Sequence, residues 1–275
     1  MKSLEGAVAL VTGASRGVGK GIALGLGEAG ATVYITGRTV EESKGPVALP
    51  GTIYQTAQEV EQLGGRGIAI QCDHTQDEET VQVFERISRE QKRLDILVNN
   101  VWGGYEKFTD GIKNWTEPGY WAFPLSRWDK MFQAGVRAHY FCSLLAAPVM
   151  TAQKAGLMVN VSFSSGQQPH QNVAYGSAKA ASDHMARCLA KKLRKYKVAV
   201  VALYPGLVRT EAVLKAGKRF DLSNSESPQF VGRAVAALAA DPKIMQKSGE
   251  VLVAAAVALE YGFTDIDGKQ PRPLL

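Results

Sequence analysis

The sequence predicts an α/β fold in which helices wind over both faces of a seven-stranded parallel sheet. Three observations carry this. Short, nearly continuous apolar runs such as Ala7-Val8-Ala9-Leu10-Val11-Thr12 have the length and composition of strands buried on both faces. Those runs alternate with longer stretches of helical pattern along the whole chain, the arrangement that implies a doubly wound parallel sheet. A glycine-rich segment joins the first run to the helix after it, and a second apolar run follows, which makes a strand–turn–helix–strand unit. With 275 residues, 45% hydrophobic and 21% charged, residues 1–275 suit one large domain with a substantial core.

The first strand leads into Gly13-Ala14-Ser15-Arg16-Gly17-Val18-Gly19, then an amphipathic helix through about Glu28, then a strand over Thr32–Thr36. Glycines let the chain turn tightly and bring backbone N–H groups and a helix N-terminus against a pyrophosphate. Gly13, Ser15, Arg16, Gly17, Val18 and Gly19 are therefore candidate contacts of a dinucleotide. The second strand ends at Thr36-Gly37-Arg38, where a dinucleotide fold selective for NAD carries an acid for the ribose 2′-OH. None stands there; the nearest is Glu41. The planar fork of Arg38 suits a 2′-phosphate instead, with Arg16 as a second clamp. NADP(H) is thus the preferred cofactor, with NAD(H) open if both arginines only face solvent.

A loop over residues 40–51, with Pro46 and Pro50, precedes a helix over Tyr54–Leu63 closed by Gly64-Gly65. Gly67–Cys72 reads as the third strand, and Asp73 after it as a turn or helix cap. A polar-faced helix over Glu78–Gln91 leads to the fourth strand, Leu94–Val98, which ends at Asn99-Asn100-Val101. The stretch from Trp102 to Trp128 is rich in aromatics, among them Tyr105, Phe108, Trp115, Tyr120, Trp121 and Phe123. A loop of this length in a compact domain is usually functional. It reads either as a lid over an apolar substrate, with Trp102 and Tyr105 in the wall, or as a satellite cluster or subunit contact. A long helix over Arg127–Thr151, a strand over Leu157–Ser162, a helix over Asn172–Leu193 and a strand over Val198–Leu203 follow. Beyond Tyr204-Pro205-Gly206-Leu207-Val208-Arg209-Thr210, residues 211–227 form a polar loop expected to be a second substrate wall. A helix over Pro228–Ala239 and a strand over Gly249–Val253 complete the set.

Tyr175-Gly176-Ser177-Ala178-Lys179 places a tyrosine and a lysine on one face of a helix. Free tyrosine, with a pKa near about 10, is a poor base and a reluctant acid at neutral pH. A lysine ammonium one turn away favours tyrosinate, and the pair is then suited to pass a proton to or from an alcohol or carbonyl oxygen.

Tyr175-x-x-x-Lys179 combined with Thr12-Gly13-Ala14-Ser15-Arg16-Gly17-Val18-Gly19 resembles the short-chain dehydrogenase/reductase family, over nearly the whole chain. The resemblance implies a single Rossmann-type domain with strand order 3-2-1-4-5-6-7. It implies that Asp73 contacts the adenine and that the Asn99-Asn100 segment lies against the cofactor. Lys179 is implied to bind the nicotinamide ribose, and Pro205, Gly206, Val208 and Thr210 to hold the nicotinamide carboxamide. The family's substrate-orienting serine stands thirteen residues before the tyrosine, which gives Ser162. Alignment on the strand and Gly166 instead puts Phe163 at that position, and Ser164 is the alternate hydroxyl. Where the family carries an asparagine for a proton relay, this chain has Gly135. Gly37-Arg38, the run from Arg137 to Cys142, and the tail from Glu260 to Gly268 resemble a narrower branch, the dehydrogenase/reductase member-one type. A homodimer or homotetramer through the two long helices is also implied.

The formal net charge is +6, but the basic residues are scattered. The densest cluster, Lys191 to Lys197, reads as a solvated helix end whose cations suit the dipole, not as a nucleic-acid site. Cys72, Cys142 and Cys188 have no metal-ligand spacing, nor do the four histidines, so no metal is expected. Sparse free thiols and a start without a signal-peptide core fit a reduced, cytoplasmic chain. No apolar run approaches about 18 residues, so no membrane span is expected. The expected function is reversible hydride transfer between NADPH and an apolar ketone, aldehyde or quinone, with Tyr175, Lys179 and Ser162 as catalytic residues. The alternatives are an NADP(H)-binding sensor or scaffold with little catalysis, and an NAD-dependent alcohol dehydrogenase.

Overall fold

The first apolar run forms β1 (Val8–Val11), in which every residue is buried. Helix α1 (Gly17–Glu28) returns the chain to β2 (Thr32–Gly37), which pairs with β1 in parallel, Val8 opposite Thr32 and Val11 opposite Ile35. The computed structural model describes residues 3–42, 44–45, 48–104, 119–169 and 172–273. Helix α2 (Ile53–Gln62) starts at a capping box, in which Thr52 and Gln55 satisfy each other's backbone N–H groups. It leads to β3 (Arg66–Gln71). Helix α3 (Asp77–Gln91), with three acids in its first turn to suit the dipole, leads to β4 (Ile96–Asn99).

The next long helix starts at Leu125, slightly earlier than its sequence pattern indicates. It comprises α4 (Leu125–Phe132), a π turn over Gln133–Arg137, and α5 (Ala138–Gln153). After β5 (Gly156–Val161), α6 (Val173–Leu193) is capped by Asn172, whose side chain accepts the N–H of Tyr175. β6 (Val198–Tyr204) follows. Residues 211–227 are more ordered than a polar loop. They hold α7 (Glu211–Lys215) and a short parallel pairing of Leu207–Val208 with Ser225–Glu226. Helix α8 (Pro228–Ala240) has proline in its first turn behind the Ser227 cap, and β7 (Val251–Val253) runs directly into α9 (Ala254–Tyr261). That last helix has no punctuating residue before it, which is why the pattern of the sequence does not separate it from the strand.

The seven strands lie in the order β3-β2-β1-β4-β5-β6-β7, all parallel, as expected. Alternate strand residues face opposite sides. Ala9, Val11, Val33 and Ile35 pack with Ile22, Leu26, Phe230 and Val235 of α1 and α8. Val8, Leu10 and Tyr34 pack with Val83, Ile87, Cys142, Met150 and Ala186 of α3, α5 and α6. The order reverses between β1 and β4, so the carboxyl ends of β1, β4 and β5 open onto one crevice, where such sheets bind ligands.

Candidate functional site

The glycine-rich turn leaves β1 at that crevice. Thr12 organises it: its buried hydroxyl donates to Val98 O at 3.1 Å and accepts the N–H groups of Asn100 (3.0 Å) and Val101 (3.1 Å). Gly13 and Gly17 have φ of +68° and +58°, which other residues resist. A methyl group at Gly19 would fall 2.3 Å from Asn100 Nδ2 and 2.4 Å from Gly13 O. Of the Asn99-Asn100 segment, Asn100 fastens the turn by donating from Nδ2 to Thr12 O (2.9 Å) and Gly13 O (3.0 Å). Asn99 is turned the other way. Its Nδ2 donates to Ser143 Oγ and Asn160 Oδ1, both at 2.9 Å, and the side chain is fully buried. Asn99 therefore braces β4 against β5 and α5, and its side chain does not face the turn. Ser15 is buried in the turn and Val18 lies in the first turn of α1. The Gly17 N–H donates to Glu211 Oε2 at 2.9 Å, so the start of α1 already holds a carboxylate where a phosphate oxygen would be received.

Arg16 and Arg38 stand beside this turn. Arg16 donates from Nε to Pro50 O (3.0 Å) and from Nη2 to Gly51 O (2.9 Å), which pulls the residue 48–51 loop onto the turn. Burial lowers the pKa of Arg16, as does the nearby charge of Arg38, while Glu211 opposes both. Arg38 Nη1 lies 3.7 Å from Asp73 Oδ2. Asp73 caps its own turn, accepting from Thr75 N (3.0 Å) and Thr75 Oγ1 (2.8 Å), so the capping role read from sequence is present. Behind it, His74 is buried between Thr36 Oγ1 (2.7 Å) and Thr80 Oγ1 (3.2 Å), and burial drops its pKa to about 4.

Tyr175 and Lys179 occupy successive turns of α6 over β5, with the Lys179 ammonium 5.5 Å from the tyrosine ring centroid. Lys179 is buried. It donates to Val161 O at 3.2 Å, and desolvation lowers its pKa to about 7 against the opposing pull of Asp183. Ser162 is also buried, but its hydroxyl donates to Lys179 O at 3.3 Å. It points into α6, and the ring that meets Tyr175 here is Phe163, 6.2 Å away between centroids. Just beyond β5, residue 162 thus faces α6 and residue 163 faces the tyrosine ring. Ser164, half-buried, opens the 3-10 turn that follows.

Gly135 lies within the π turn. A methyl group there would fall 2.3 Å from Trp102 Cζ3, so the indole occupies the space a side chain at 135 would need. The Gly135 carbonyl accepts from Ser182 Oγ at 3.2 Å. Trp102 meets Tyr175 edge-on, with centroids 5.3 Å apart, and its ring face lies 4.1 Å from Lys179 Nζ. It is thus an inward-facing neighbour of the pair. Tyr105 and the rest of residues 105–118 lie outside the described residues; of the remaining aromatics, Tyr120 and Trp121 are exposed and Trp128 stacks on Phe132. His139 is buried on α5. Its Nε2 is 2.9 Å from Val101 O and must carry the hydrogen, since a carbonyl only accepts. Desolvation and the charge of Lys179 hold its pKa near about 3, so it is neutral.

The loop beyond β6 is held from behind. Gly206 N donates to Glu226 Oε2 at 2.9 Å, and Arg209 N to Glu226 O at 2.8 Å. Arg209 also reaches Ser225 O (2.8 Å) and Asp265 Oδ2 (3.0 Å). Asp265 in turn accepts from the Ser227 N–H at 2.8 Å and from the Ser227 hydroxyl. Thr210 caps α7 through Val213 N, while Pro205 and Val208 are buried in the loop. Burial raises Glu226 to about 7, with Asp265 adding to the shift. No cluster of three metal-ligating side chains occurs among the described residues, and none of their helices is long and apolar enough to cross a membrane.

Comparison with known proteins agrees with this geometry. The family model described as short chain dehydrogenase matches residues 7–219. Dehydrogenase/reductase SDR family member 1 of Mus musculus is 44% identical, over 97% of this chain and 85% of its own. A 7α-hydroxysteroid dehydrogenase solved with NADH and 7-oxo glycochenodeoxycholic acid superposes with a TM-score of 0.75 at 25% identity, covering 91% of this chain and 93% of that one. A metagenomic short-chain oxidoreductase solved with NADP superposes with a TM-score of 0.70 at 28% identity, covering 91% and 97%.

Proposed function

The chain belongs to the short-chain dehydrogenase/reductase family, and from that premise we propose that it is an NADP(H)-dependent oxidoreductase acting on an apolar ketone, aldehyde or quinone and its alcohol. The observation that carries the reading is the Tyr175–Lys179 pair at the carboxyl end of β5, in the same crevice as the glycine-rich turn. The turn fits a dinucleotide: side chains at Gly13 or Gly19 would collide with Val101 or Asn100, and the Gly17 amide already receives an anionic oxygen. Gly13 to Gly19 would hold the pyrophosphate, Arg38 and Arg16 a 2′-phosphate, Asp73 the adenine, and the Pro205–Thr210 loop the nicotinamide end. The chemistry that a bound nicotinamide supplies is hydride transfer at the carbonyl carbon.

The protein's own part is the proton and its placement. The Tyr175 hydroxyl gives a proton to the substrate oxygen in reduction and takes it back in oxidation. Lys179, held on the same face of α6, favours the tyrosinate by its charge. A seryl hydroxyl orients the substrate oxygen. Ser162 is spent on the α6 backbone, so Ser164 takes precedence for that role. Phe163, Trp102 and Tyr175 give this end of the crevice an aromatic lining suited to an apolar substrate. A complex with a 7-oxo bile acid in a structural relative supports the same class. The reading includes a cytoplasmic location and a homodimer or homotetramer, for which the exposed Tyr140 and Leu144 of α5 offer an apolar face.

Titration with NADPH and NADH, followed by turnover of apolar carbonyls, tests the proposal. NADPH is expected to bind more tightly, and Tyr175→Phe to lose roughly 10²–10⁴-fold in kcat with binding intact. A second reading, an NADP(H) sensor with little catalysis, is favoured by one feature: Phe163 and Trp102 stand where polar groups assist the tyrosine in the resembled family. NADPH binding with turnover no better than Tyr175→Phe would decide for the sensor.

A further inference from the structure

Lys179 is a cation almost wholly withdrawn from water, and its environment is defined. From β5 its ammonium meets the Val161 carbonyl. From α6 it meets Tyr175 and, one turn on, Asp183, whose carboxylate is bound by Tyr204 of β6 and influenced by Arg187. From α5 it faces His139, which burial keeps neutral. The remaining wall is Trp102, whose ring centroid lies 4.1 Å from the ammonium. Desolvation alone drives such a group toward its neutral amine, and its pKa falls to about 7. An indole face opposes this, because its quadrupole attracts a cation within about 6 Å and does so most strongly where water is excluded.

We propose that Trp102 is a positioning residue for Lys179, holding the ammonium charged and fixed beside Tyr175, and that glycine at 135 is what admits it. The second half follows from the overlap: a methyl group at 135 would stand 2.3 Å from Cζ3 and 2.4 Å from Cε3 of the indole, distances that no pair of such atoms adopts. The indole and a side chain at 135 are mutually exclusive. Where the resembled family offers a polar side chain at this place, the present chain offers an aromatic face. This rests on the reading of Lys179 as the partner of Tyr175, but its physical content is a property of the protein without substrate.

The test is the titration of Lys179 in cofactor-free protein, followed by NMR of ε-¹³C-labelled lysine and assigned with Lys179→Arg. Trp102→Leu keeps apolar bulk and removes the ring face. It is expected to lower the Lys179 pKa by about one unit, while Trp102→Phe, which restores an aromatic face, recovers much of that shift. The alkaline rise of Tyr175-dependent turnover should follow the same order among the variants. Gly135→Ala should abolish the ring contact and give Lys179 a titration unlike that of wild type. An unchanged Lys179 titration in Trp102→Leu overturns the proposal, even if turnover falls, because Trp102 would then be packing alone. Equal shifts in Trp102→Leu and Trp102→Phe overturn it too, since bulk rather than the ring face would be responsible. If the titration shifts as expected but wild type reduces no carbonyl, the positioning role stands and the enzymatic reading fails.

Discussion

The glycine-rich turn and the Tyr175–Lys179 face of α6 are both built by close approach, but of opposite kinds. At the turn the close neighbours are chiefly backbone: Gly13 lies against Val101 Cα, and Gly19 against the Gly13 carbonyl, with the Asn100 amide side chain beside it. At α6 the near neighbours are rings, with Trp102 over Gly135 and Phe163 beside Tyr175. Backbone contact can be achieved by few residue types, so it leaves a fixed spacing of glycines in the sequence. Ring contact can be supplied from many positions, so it leaves no pattern. The first region is rigidly specified and the second is adjustable.

That contrast can be broken experimentally. Gly19→Ala should be the most damaging change. The new methyl must move backbone, at a cost of about 3 kcal/mol or a hundredfold in NADPH affinity, read by fluorescence titration; near-wild-type affinity would show that the turn is as adjustable as the ring cluster. Arg38→Asp should reverse cofactor preference, weakening NADPH by roughly 10–100-fold relative to NADH through loss of the guanidinium fork. An unaltered NADPH-to-NADH ratio of dissociation constants would remove Arg38 from the cofactor site.

The loop beyond β6 sharpens the comparison through pH. Burial raises Glu226 above its unfolded value, to about 7. Its protonated form is the one the fold favours, so the associated stability is complete below the ordinary glutamate range and is lost as pH rises through about 7. Denaturant unfolding of wild type should lose on the order of 2–3 kcal/mol from pH 4 to 8 through this group, a slope that Glu226→Gln should flatten. Parallel slopes in the two proteins would place the loop's support elsewhere. The smallest effect should come from Ser162→Ala. Its hydroxyl is engaged with α6, at the Lys179 carbonyl and the Asp183 carboxylate, so about 1 kcal/mol of stability should go with little change in kcat, whereas Ser164→Ala should lower kcat about tenfold or more. The opposite ranking would return the orienting role to Ser162.

The fold was legible almost entirely. The central strands are apolar runs buried on both faces, whereas β3 and β7 at the edges are only partly buried, and the order of strands followed from the family resemblance. Of the site, the turn and the Tyr175–Lys179 spacing were legible because both obey local periodicity. The Asn99-Asn100 segment was legible only as a pair, because adjacent residues at a strand end face opposite ways and sequence does not say which faces the turn. Trp102 was visible as an aromatic departure near the cofactor segment, but its partners Gly135 and Lys179 come from the π turn and α6 only after folding. Glu226 and Asp265 were not visible as a brace, since nothing local distinguishes a buried carboxylate from a solvated one.

The π turn over Gln133–Arg137 has a consequence for how this chain tolerates change in length. A π turn accommodates one residue more than an α turn, and each residue of an α-helix advances about 100° around the axis. Deleting one residue from this segment would restore a uniform helix and rotate α4 by that angle against α5. Arg127 and Met131, the buried residues of α4, would be turned out of their places, and Met131 would leave Gly104, which it now touches so closely that a methyl group there would fall 2.7 Å from its Cγ. The wide turn is a register setting between two helical segments. One residue fewer would leave the packing of α5 on the sheet in place and unseat what α4 positions beside Gly104.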